Sequence, residues 1–272
     1  METKTLGKTG EKIPEIGLGT WQYHGGPNPL RLGLTLGATL LDTAEAYGTE
    51  PIVAQAIADQ RDHVFLATKV SGHHLHYDDV LKAADASRRR LHVHTLDLYQ
   101  IHWPNPHTPI RDTMRALEEL VRRGWIRHIG VSNFSLPELR TAQDALPHHE
   151  IAANQVEYHL LDRTIEPDLL PYCTQEKITI LAYSPLARGQ IPSGRDPRLR
   201  LLDTLATPYA KTRTQVALNW LTSHEPVIAI PKADRPEHVR EDCGASGWRL
   251  TPDDQAKIDA AFQTPRTRLH SE

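Results

Sequence analysis

Short runs rich in Val, Ile and Leu alternate with longer amphipathic segments along the whole chain, and this alternation limits the fold more than any single motif. The runs "VFLATK" (64–69), "LDLYQIH" (96–102), "IRHIGVS" (126–132), "IAANQVEY" (151–158), "ITILAYS" (178–184) and "VIAIPK" (227–232) have the length and composition of strands buried on both faces. Between them lie helices. In "IRDTMRALEELVRRG" the residues Ile110, Met114, Leu117 and Val121 recur at helical spacing, and Gly124 stands where a helix stops. Ser135 precedes Glu138 by three residues, the order of a capping box, and Thr251 is followed by a proline at a first helical position. With "EIGLGT" and "TLLDTA" at the front, the strands number eight, each followed by a helix. That repeat predicts a parallel α/β sheet closed into a (β/α)8 TIM barrel. Residues 4–16, with Gly7 to Gly10 as the turn, predict a short N-terminal β-hairpin ahead of it. No linker or low-complexity stretch divides the 272 residues, so 1–272 is read as a single barrel domain.

A net charge of −3 with interspersed signs offers no basic face for nucleic acid, and no run of eighteen apolar residues encodes a membrane span. No apolar leader opens the chain. Cys173 and Cys243 stand far apart in no metal or redox spacing and read as reduced thiols of a cytoplasmic protein. The partner expected is a small molecule, and the absence of an apolar helix stripe points to a monomer. Sixteen histidines include the group His73, His74 and His76 and the pair His92 and His94, but neither shows a metal spacing, and both read as solvent-facing.

In a barrel the carboxyl ends of the strands converge on one mouth, where such folds carry their chemistry. Here the ends hold Asp42, Lys69, His102, Ser132 with Asn133, Gln155, Tyr183 and Lys232, and Tyr47 follows Asp42 by five residues. One polar residue at a strand end is ordinary; seven strands in succession are not. A tyrosine hydroxyl, with an unperturbed pKa of about 10, exchanges protons poorly at neutral pH. A neighbouring ammonium is expected to lower that value, with Asp42 holding Lys69 charged. Tyr47 would then serve as general acid toward a carbonyl oxygen that His102 orients.

These residues resemble the catalytic tetrad of the aldo-keto reductase superfamily, matched by Asp42, Tyr47, Lys69 and His102. The segments "GVSNF" (130–134), "NQVEYH" (154–159), "YSPLARG" (183–189) and "IPKADRPEHVRED" (230–242) occur in the family's order, and the similarity runs from about residue 5 to 262. The resemblance implies hydride transfer between a nicotinamide cofactor and a carbonyl or alcohol. It implies that Ser132, Asn133 and Gln155 hold the carboxamide, Tyr183 stacks on the ring, and Ser184 and Leu186 approach the pyrophosphate. Lys232 would meet the adenosine 2′-phosphate and Glu241 the adenine. Three positions depart from the family pattern: Ala233 replaces a hydroxyl residue, His238 an arginine and Asp242 an asparagine. Lys232 favours NADPH, with NADH possible and Arg235 or Arg240 as substitutes for the weakened phosphate donors. "GLGTWQ" has Gln22 where a dinucleotide-binding turn needs its third glycine, so the cofactor grip must lie elsewhere.

The resemblance also implies that Trp21 and Trp103 wall the substrate pocket. The loop 187–198, rich in Gly, Pro and Arg, is a candidate cover for the cofactor. Short loops after the third and fourth strands and a brief tail, "TPRTRLHSE", imply an open mouth and broad recognition of aldehydes or activated ketones. Two other readings stand beside this one: a Schiff-base aldolase using Lys69, and a cofactor-holding regulatory subunit without rapid turnover.

Overall fold

A computed structural model describes residues 1–263; the tail 264–272, expected to leave the mouth open, lies outside the described residues. The chain begins with an antiparallel hairpin, β1 (Thr3–Thr5) and β2 (Lys12–Pro14), with Lys4 opposite Ile13. Eight parallel strands follow in sequential order: β3 (Leu18–Gly19), β4 (Leu40–Asp42), β5 (Phe65–Val70), β6 (Leu96–Ile101), β7 (Ile126–Ser132), β8 (Ile151–Glu157), β9 (Thr179–Tyr183) and β10 (Val227–Ala229). The sheet closes through a parallel bridge between Ile16 and Ala229. Gly17 N–H donates to Ala229 O at 2.8 Å, Ala229 N–H to Glu15 O at 3.0 Å, and Gly19 N–H to Pro231 O at 2.8 Å. A Cβ on Gly19 would fall 2.9 Å from Ile230 O, so the seam admits only glycine there.

The helices α1 (Pro27–Thr35), α2 (Glu50–Ile57), α3 (Tyr77–Leu91), α4 (Ile110–Arg122), α5 (Leu136–Asp144), α6 (Leu169–Glu176), α7 (Gln190–Ser193), α8 (Leu199–Ala206), α9 (Arg213–Thr222), α10 (Pro236–Cys243) and α11 (Pro252–Phe262) complete the described chain. Two apolar layers result. Met114, Leu117 and Leu120 of α4 exemplify the outer layer between sheet and helices, whereas Leu40, Phe65, Leu98, Leu181 and Ile228 fill the barrel interior. Leu6 and Ile13 from the hairpin join that interior cluster. Gly7 N–H also bonds Thr179 Oγ1, at the first residue of β9, at 2.8 Å. The hairpin therefore plugs the end where the strands begin and leaves the opposite end as the mouth.

The capping box at Ser135 is present, with Ser135 N–H donating to the Glu138 carboxylate at 2.8 Å, and Thr251 Oγ1 accepts from Asp254 N–H. A further box, Thr212 with Gln215, starts α9. The last strand is shorter than the run 227–232 suggests, because Pro231 has no N–H to continue the ladder. Cys173 and Cys243 are free and buried. No helix among the described residues is long and apolar enough to cross a membrane.

Candidate active site

Asp42 is the last residue of β4, and the chain then turns through a three-residue 3-10 helix, Glu45–Tyr47, that stops at Gly48 with φ 69°. Lys69 comes from β5 and is fully buried. Its ammonium uses all three donors: Asp42 Oδ1 at 2.6 Å, Thr43 O at 2.9 Å and Tyr47 Oη at 3.3 Å. His102 follows β6, anchored by its N–H to Val70 O at 2.9 Å, and brings Nε2 to 3.3 Å from Tyr47 Oη. Their rings meet edge to face with centroids 5.2 Å apart. The tyrosine hydroxyl thus lies between an ammonium and an imidazole.

The electrostatics correct one sequence expectation. Burial pushes the Tyr47 phenol upward, Lys69 opposes this and Asp42 adds to it, so the hydroxyl is harder, not easier, to ionise than a free tyrosine. Tyr47 accordingly holds its proton at neutral pH. Burial alone would lower the Lys69 ammonium, but Asp42 and Tyr47 outweigh it and the net shift is upward. A lysine kept charged is no nucleophile, which removes the basis of the Schiff-base reading. Burial, then Lys69, brings His102 down to about 4, so its imidazole is neutral above that pH.

Asp42 also accepts from two amides at Oδ2, Gln155 Nε2 at 2.8 Å and Gln100 Nε2 at 3.3 Å. Gln155, expected to face a carboxamide, thus spends its NH2 on Asp42. Gln100 was not singled out from sequence, although a polar residue inside "LDLYQIH" is an exception within a buried strand. Thr20 is another residue missed, its Oγ1 donating to Asp42 O at 2.9 Å.

A cleft of about 840 Å³ opens above this floor, within the size range of ligand pockets. All the predicted site residues except the deeply buried Lys69 line it. At the barrel centre are Asp42, Tyr47 and His102, flanked by Trp21 and Trp103, which are 44% and 53% exposed. Ser132, Asn133, Gln155 and Tyr183 form one wall. Ser132 Oγ donates to Gln155 O at 2.9 Å, Asn133 Nδ2 to His102 O at 3.0 Å, and Tyr183 Oη to Asn133 Oδ1 at 2.9 Å. Asn133 and Ser184 take left-handed backbone angles, φ 62° and 48°. Leu186 leads into the segment 187–198, which holds a 3-10 turn (Ala187–Gly189) and α7 where a loop was expected, and of which Arg188, Gly189, Pro192 and Ser193 line the cleft. Arg188 lies over the Trp21 ring at 5.5 Å and bonds Glu157 at 3.3 Å, crossing from the β9 loop to the β3 loop.

At the far end stand Lys232, His238, Glu241 and Asp242. Lys232 Nζ is engaged with Asp234 Oδ2 at 2.7 Å, and Glu241 accepts from Thr212 Oγ1 at 2.7 Å. Asp242 is buried, and burial with Glu241 beside it pushes its carboxyl well above the usual range. Arg235 and Arg240 are not among the lining residues. All five histidines read as solvent-facing, His73, His74, His76, His92 and His94, are exposed, and His74 Nδ1 also meets Glu45 Oε1 at 3.0 Å. No group of three or more metal-ligating side chains occurs among the described residues.

The aldo/keto reductase family model matches residues 15–263. Methylglyoxal reductase YeaE of Escherichia coli is 35% identical over 278 residues, covering 98% of this chain and 97% of that protein. Glyoxal reductase of Bacillus subtilis is 34% identical over 94% of this chain and 92% of its own. Among solved structures, an aldo-keto reductase from Klebsiella pneumoniae in complex with NADPH superposes with a TM-score of 0.89 at 35% identity, covering 100% of this chain and 99% of that one.

Proposed function

The chain belongs to the aldo/keto reductase family, and from that premise we propose that it is an NADPH-dependent carbonyl reductase acting on small reactive aldehydes and ketones, with Tyr47 as the general acid. The observation that carries this reading is the Tyr47 hydroxyl, protonated and 3.3 Å from both Lys69 Nζ and His102 Nε2 on the floor of the cleft. When bound, the nicotinamide supplies the hydride. Tyr47 gives its proton to the carbonyl oxygen, and neutral His102 donates a hydrogen bond that fixes where that oxygen lies. Lys69 stabilises the phenolate left behind, held to that task by Asp42.

The lining residues fit such a cofactor. Ser132 and Asn133 present polar groups beside the flat face of Tyr183, and Lys232 supplies a cation at the far end. Ser184, Leu186 and Arg188 would border the pyrophosphate, and His238, Glu241 and Asp242 the adenosine. The relatives named for methylglyoxal and glyoxal reduction support small dicarbonyls as substrates, and the exposed Trp21 and Trp103 would wall them. A monomeric, cytoplasmic enzyme accords with two free buried thiols and with only Met1 and Leu36 as large exposed apolar residues away from the mouth among those described.

The test is consumption of NADPH with methylglyoxal, comparing the native chain with Tyr47→Phe. Loss of general-acid catalysis lowers kcat by about 10²–10⁴-fold while NADPH still binds. A Tyr47→Phe variant as fast as the native chain would remove the acid role.

A further inference from the structure

Three of the four residues around the proton are held by the barrel itself: Asp42 and Lys69 belong to adjacent strands, and His102 is tied to Val70 by its main chain. Tyr47 is not. It ends a single 3-10 turn whose internal support is one main-chain bond, Tyr47 N–H to Ala44 O at 3.1 Å, before the left-handed Gly48. Such turns have poor hydrogen-bond geometry and little stiffness of their own. Something else must set the distance from its hydroxyl to Lys69.

The same turn begins with Glu45, whose side chain is 10% exposed. Its Oε1 accepts the main-chain N–H of Ser71 at 2.5 Å and approaches His74 Nδ1 at 3.0 Å. Ser71 stands two residues beyond Lys69, and Glu45 two residues before Tyr47. The carboxylate therefore ties the segment carrying the acid to the strand end carrying its partner, through a charge-assisted bond. Glu45 is not among the residues that line the cleft.

We propose that Glu45 is a positioning residue for proton transfer: its bond to Ser71 holds the Tyr47 turn in register with Lys69 and His102. The proposal rests on the reductase reading above. Without the tie, the ring contacts to His102 and Lys69 remain, but the turn is free to shift by a fraction of an ångström or more. A misplacement of about 1 Å costs up to about 100-fold in rate.

The experiment compares Glu45→Ala and Glu45→Gln with the native chain in steady-state NADPH-dependent reduction, NADPH binding by tryptophan fluorescence, and the solvent deuterium isotope effect on kcat. The alanine variant is expected to lose about 10–100-fold in kcat, bind NADPH within about twofold of native, and show a larger solvent isotope effect because proton transfer has become slower. The glutamine variant, whose amide oxygen still accepts the Ser71 N–H, recovers kcat to within about threefold. Equal losses in the two variants, a native-like kcat in the alanine variant, or a loss without a change in isotope effect would each overturn the proposal. A crystal structure of Glu45→Ala reads the geometry without turnover: the Tyr47 hydroxyl should leave hydrogen-bond reach of Lys69, and an unmoved hydroxyl refutes the tie. A native chain that consumes no NADPH counts against the reductase reading alone.

Discussion

Replacing Lys69 by methionine removes the cation that balances Asp42 inside the barrel. Both side chains lie out of solvent, 0% and 3% exposed, with Nζ 2.6 Å from Oδ1. Methionine preserves length and apolar bulk, so packing changes little. What remains is a buried carboxylate with two amide donors, Gln155 and Gln100, and no counter-charge. Removing one partner of a buried pair costs about 3–5 kcal/mol. An unfolding entropy of about 2.1 cal/mol/K per residue gives about 0.57 kcal/mol/K for 272 residues, so the apparent Tm falls by about 5–9 °C. The double variant Asp42→Asn/Lys69→Met leaves no uncompensated charge and should recover most of that loss, although it is inactive. Thermal unfolding followed by circular dichroism on the native chain, both single variants and the double variant closes the cycle. A double variant no more stable than Lys69→Met, or a Lys69→Met variant within about 1 kcal/mol of native, would show that the two amides suffice for Asp42 and that the charge pairing argument is wrong.

Three further outcomes follow from the same geometry. His102 is held down from 6.5 to about 4, so the unfolded chain takes up this proton first as pH falls. Its contribution to stability is complete above 6.5 and is lost as pH falls to about 4; His102→Gln should show a flatter decline in Tm across that window. Gly130→Ala places a Cβ 2.8 Å from Gln100 Cγ and 3.3 Å from Ala153 O, overpacking the interior at a cost of about 1–3 kcal/mol, measurable by urea unfolding. Lys232→Ala should weaken NADPH binding about fivefold and leave NADH unchanged by fluorescence titration, whereas Asp234→Asn, which releases Lys232 from its 2.7 Å partner, should tighten NADPH alone.

Strand ends are legible in a sequence because buried parallel strands are mostly apolar runs and the polar residues toward the carboxyl end of each run mark where the barrel opens. That is how Asp42, Lys69, His102, Gln155 and Tyr183 are found. What each then bonds is decided by neighbours from other strands. Gln155 donates to Asp42 because β8 and β4 face one another across the barrel interior, a relation no local pattern contains. The sign of the Tyr47 shift depends on whether burial or Lys69 is the larger effect, and only the packed structure sets the burial. Lys232 is suggested as a phosphate ligand by the family resemblance; that Asp234, two residues on, already holds it depends on the turn between them. Glu45 carries no local signal of its role, since its partner Ser71 lies at the next strand's exit.

The seam of the barrel has a consequence for how the protein is made. The first strand finds one of its two neighbours only in the last, and the His24 main chain meets the Asp234 side chain across 210 residues of sequence. A ribosome releasing the chain from its N-terminus leaves β3 with one open edge until β10 has been made, the situation in which strands pair with the wrong chain. Trp21 and Lys232 meet across the same cleft only once that edge is closed. Cofactor captured there reports a finished molecule, and its binding energy stabilises the closed seam against the open one.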